Sequence, residues 1–153
     1  MSKAPQTYSE WVNVLTLFKN KSDDDKVIKL MQFGSIEWQY GVSERFSRKL
    51  IDAVNCRMNS ASDKFQRDIS RAQGQEVAII QAILALRKEM AFLAKAINLL
   101  AIPDKERKYY LELVMEQADN MQRSLEESAK SDRSGKMSSI VRNNKVNSFL
   151  LGE

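Results

Sequence analysis

Residues 77–100 read VAIIQAILALRKEMAFLAKAINLL, and this stretch decides the fold. Val77, Ile79, Ile80, Ile83, Leu84, Leu86, Met90, Phe92, Leu93, Ile97, Leu99 and Leu100 cover most of a helical circumference. A helix apolar nearly all round belongs at the centre of a bundle or in a subunit interface. Arg87-Lys88-Glu89 and Lys95 interrupt the window, and charges at its centre argue for a buried helix over a membrane span. If the helix is central, one of the three charged residues must find a partner, because an unpaired buried charge costs several kcal/mol. Glu112 and Glu116, further along the chain, are the expected partners.

Working outward, the stretch ends a sixty-residue run, Val42 to Ala101, that holds one glycine, Gly74, and no proline. A single helix of that length would span roughly 90 Å, three times the width of a small domain. The run must therefore fold back on itself or build an elongated, oligomeric object. On its N-terminal side Phe46, Leu50, Ala53, Val54 and Met58 form one stripe. Asn59-Ser60-Ala61-Ser62-Asp63 is poor helix interior and good capping material. Ala61, Phe65, Ile69 and Ala72 nevertheless keep the register of the stripe. Phase argues for one continuous helix over 43–73 and residue type argues for a break, so both remain open. On the C-terminal side Ala101-Ile102 is a short link, and Pro103 suits the first turn of a helix running to about Lys130. The link predicts an antiparallel hairpin.

Ahead of this run, Thr7-Tyr8-Ser9-Glu10 reads as a capping box for a helix reaching about Lys19. Ser22 to Asp25 opens a second, short helix that Gly34 should stop. The triple aspartate lacks the glycine and terminal glutamate of a calcium loop. Ser35 to Gly41, with Trp38 and Tyr40, is a connector or a single helical turn. From Ser131 the helical pattern fails, and residues 132–153 are expected to form a flexible tail with at most a short helix. The expectation is thus an all-α, elongated helical bundle: about five helices in residues 1–131, the long ones antiparallel, then the tail.

Composition agrees and narrows the chemistry. Five glycines and two prolines among 153 residues mark a helix-rich chain. There is no histidine, which removes Ser–His and Cys–His nucleophilic pairs, histidine metal sites and Glu-x-x-His di-iron bundles. The single cysteine, Cys56, makes no internal disulfide and builds no thiolate metal site. Glu116 and Asp119 have the i, i+3 spacing of a carboxylate magnesium pair, but no second pair faces them, and a solvated face explains them. Ser134-Gly135-Lys136 lacks the earlier glycine and the strand of a phosphate loop. No cofactor, metal or catalytic residue is expected. The polar N-terminus carries no apolar leader, and the chain reads as cytoplasmic.

Function is expected to lie in interaction. The apolar excess on residues 77–100 predicts a homo-oligomer, coiled-coil-like, with Ile80, Ile83, Leu84, Met90, Leu93 and Ile97 in its interface. Ile140, Val141, Arg142, Phe149 and Leu150 are candidate tail anchors for a protein partner. The alternative is a nucleic-acid-binding accessory protein. Its contacts would be Arg45, Arg48, Lys49, Arg57, Lys64, Arg67 and Arg71, seven bases against four acids, with Arg133, Lys136, Arg142 and Lys145 in support. The net charge of +4 permits such a partner without arguing for one.

Overall fold

Thr7 opens the first helix as its spacing predicts: its hydroxyl oxygen accepts from the Glu10 amide at 3.3 Å. The Glu10 carboxylate receives the threonine hydroxyl at 3.0 Å, where the box motif would have it receive a backbone N–H. The computed structural model describes residues 4–34, 42–100 and 102–147, with no strand among them. Helix α1 is Tyr8–Lys19, α2 Asp24–Phe33, α3 Val42–Ala72, α4 Glu76–Leu99, α5 Asp104–Ala129 and α6 Lys136–Asn143. The fold is all-α. Trp38, Tyr40, Phe149 and Leu150 lie outside the described residues.

The chain divides into two compact units that interleave in sequence. Unit one is Met1–Arg57 with Ala94–Leu111, and unit two is Met58–Leu93 with Glu112–Glu153. In unit one, Trp11, Phe18, Val27, Leu50, Val54, Ile97 and Tyr110 are buried. The Trp11 and Phe46 rings meet edge to face, 5.5 Å between centroids, tying α1 to α3. Asp23 caps α2 by accepting from the Lys26 amide. Gly34 ends α2 with φ −77°, a conformation open to any residue. What selects glycine is room: a Cβ there would lie 2.5 Å from Trp11 Cζ2 and 2.9 Å from Pro5 Cγ.

Helix α3 is continuous through Asn59 to Asp63 for 31 residues. It stops at Gln73 and Gly74, both with positive φ, 48° and 79°, and α4 begins two residues later. So short a link makes α3 and α4 antiparallel, and the link through Pro103 does the same for α4 and α5. The α3 and α5 portions of unit two therefore run in the same direction. Pro103 precedes α5, and its carbonyl accepts from the Arg107 amide at 3.0 Å. The Arg107 guanidinium turns back to the carbonyls of Leu100 and Ile102, at 2.8 and 3.1 Å, and pairs with Asp104. Orphan carbonyls at the α4 terminus are thereby satisfied.

In unit two, Ile83, Met90, Leu93 and Ala118 are buried together with Ile140, Val141 and Val146. Part of the stretch read as tail is thus a docked helix. Asp132 fixes its start, accepting from the Ser134 and Met137 amides and the Ser134 hydroxyl. Gln122 of α5 holds its far end. The side-chain amide accepts from the Val146 N–H at 2.9 Å and donates to the Val141 carbonyl at 3.5 Å and to Glu126. Asn147 then donates to Asp119 at 2.8 Å.

Candidate interaction surfaces

The six residues expected in an oligomer interface do not share one exposed face. Ile83, Met90, Leu93 and Ile97 are fully buried within the chain itself. Ile80 is partly covered, and Leu84 is 39% exposed. Much of the apolar surface of α4 is thus covered within the chain itself. Outside that core, unit two leaves Val77 open, 68% exposed. Of the expected tail anchors, Ile140 and Val141 are likewise buried against their own chain and so are not free for a partner, while Arg142 is exposed. Arg87, in the polar triplet, is half-buried and reaches the Lys145 carbonyl at 3.5 Å.

The basic set also divides. Arg57 leaves it: the residue is 2% exposed and forks onto both oxygens of Asp24, at 2.8 and 3.0 Å. The same guanidinium donates to the Phe18 carbonyl at 3.2 Å and lies 4.9 Å from the centroid of the Phe18 ring. It clamps the end of α1 and the start of α2 onto α3. Its position was legible, since 57 lies seven residues after Leu50 and four after Ala53, on the apolar stripe. Lys64 is exposed and pairs with Asp68 at 2.6 Å. Arg45, Arg48 and Lys49 are exposed in unit one, and Arg67 and Arg71 in unit two.

Charge is unequal between the units. Unit one holds thirteen basic and nine acidic residues and unit two eleven of each, so the whole excess of four falls in unit one. There Ser47 of α3 lies near the buried Tyr110 phenol of α5. Burial, first of all, raises that phenol above its ordinary pKa. Exposed Lys105, Lys108 and Tyr109, the last 52% exposed, follow on α5. A bond to Asp52 at 3.0 Å raises the Lys19 ammonium pKa in the same unit.

One groove stands out in unit two, between α3 and α5, enclosing about 490 Å³. Its floor is apolar, from Phe65 and Ile69 on α3 and Met121 and Leu125 on α5. Its walls are neutral and polar: Ser62, Gln66 and Ser70 on one side, Gln117, Asn120, Ser124 and Ser128 on the other. Sequence reading missed this groove. A signal was present, because Ser62-Gln66-Ser70 and Asn120-Ser124-Ser128 each recur every four residues and so form one straight row on a helix. Among the described residues no group of three or more Cys, Asp or Glu is placed to hold a metal, and no helix is long and apolar enough to cross a membrane. Family models, curated proteins and solved structures give no match to this chain. The residues alone must carry the functional reading.

Proposed function

We propose that this chain is a non-catalytic, cytoplasmic helical interaction protein whose docking surface is the α3/α5 groove of unit two. The supporting observation is the contrast between the two sides of α5. On one, α6 and Val146 are held by Gln122. On the other, an apolar floor lies between polar walls with space above it. A floor of apolar side chains with neutral hydrogen-bonding walls suits an amphipathic helix laid in a groove. A photo-crosslinking residue at Ser70 or Ser124, with Lys26 and Lys29 as controls on α2, tests the reading in cells. Adducts confined to the groove positions and mapped to a defined protein segment are expected. Equal, diffuse labelling at all four positions overturns the reading.

A second reading rests on the unequal charge. Unit one would contact a nucleic-acid backbone through Arg45, Arg48, Lys49, Lys105 and Lys108, with Tyr109 available to stack on a base. Binding of a fluorescent single-stranded RNA should then weaken steeply with salt and fail in Arg45→Glu/Arg48→Glu. No binding at about 50 mM salt removes this reading.

A further inference from the structure

We draw no further inference here: the strongest candidate, the α3/α5 groove of unit two with its floor of Phe65, Ile69, Met121 and Leu125, carries none beyond the docking reading, because nothing in the structure shows what covers it.

Discussion

Arg57 is the residue whose structural role departs most from its appearance in sequence. Among the surrounding arginines and lysines it reads as one more surface base, yet it is the buried clamp of α1, α2 and α3. Asp24 is 27% exposed, so water can partly compensate its loss, while the Phe18 carbonyl lies at a buried contact. Arg57→Ala is expected to cost about 2–4 kcal/mol in chemical denaturation. Arg57→Lys should recover little of it, because an ammonium cannot fork onto both Asp24 oxygens while also serving the carbonyl. Gly34 makes a different point. Its backbone is open to any residue, so Gly34→Ala destabilises through the clash with Trp11, which is fully buried and cannot swing aside. A loss of about 1–3 kcal/mol in thermal unfolding is expected. Full stability in Gly34→Ala would mean that Trp11 is not seated as described.

At the scale of elements, α3 shows why pattern prevails over propensity. Asn59, Ser60 and Asp63 are exposed, whereas Met58 and Phe65 on either side are buried. Each weak helix former costs about 0.5 kcal/mol relative to alanine. Burying Met58 and Phe65 returns about 1.5–3 kcal/mol apiece, and only an unbroken helix keeps both in phase. Helix α6 is the opposite case. Eight residues do not hold a helix alone, and the sequence marks Ile140 and Val141 as anchors without saying that they dock on their own chain. Ile140, Val141 and Val146 supply the burial, and Gln122 the hydrogen bonds that burial demands. Gln122→Ala should leave the buried Val146 N–H without its acceptor, at about 1–3 kcal/mol. Hydrogen exchange should quicken at Val146 and along α6 and stay unchanged in unit one; uniform quickening would mean that Gln122 supports more than the docked segment.

For the whole molecule, the missing histidines bear on behaviour as much as on chemistry. With none present, no side chain of ordinary pKa titrates between about pH 5.5 and 7.5, so the melting temperature should be flat across that range. A marked slope there would reveal a strongly displaced acid or base. On the acid side Asp132 has a defined sign. Bonds from the Met137 amide, then the Ser134 hydroxyl and amide, hold its carboxyl below the ordinary 3.8. Its contribution is therefore full above that value and lost as pH falls through the lower, folded value. The Met137 amide resonance should move only below about pH 3.8, and Asp132→Asn should abolish that movement.

The sequence by itself determined that the chain is all-helical and where most of its long helices end, because periodicity, caps and breakers act within a few residues of chain. Thr7, Asp23, Gly74 and Pro103 are local instructions, readable without a partner. It also excluded histidine and thiolate-cluster chemistry, since absent side chains need no fold to be absent. Tertiary structure alone decided which apolar and charged residues were consumed. Ile83, Met90, Leu93, Ile97, Ile140 and Val141 are covered by their own chain, and Arg57 was withdrawn from the basic set. It also decided that two interleaved units form and that α6 covers one side of α5 while a groove runs along the other. Periodicity fixes the face a helix presents, but the choice of neighbour is made by shape and hydrogen bonding between segments tens of residues apart.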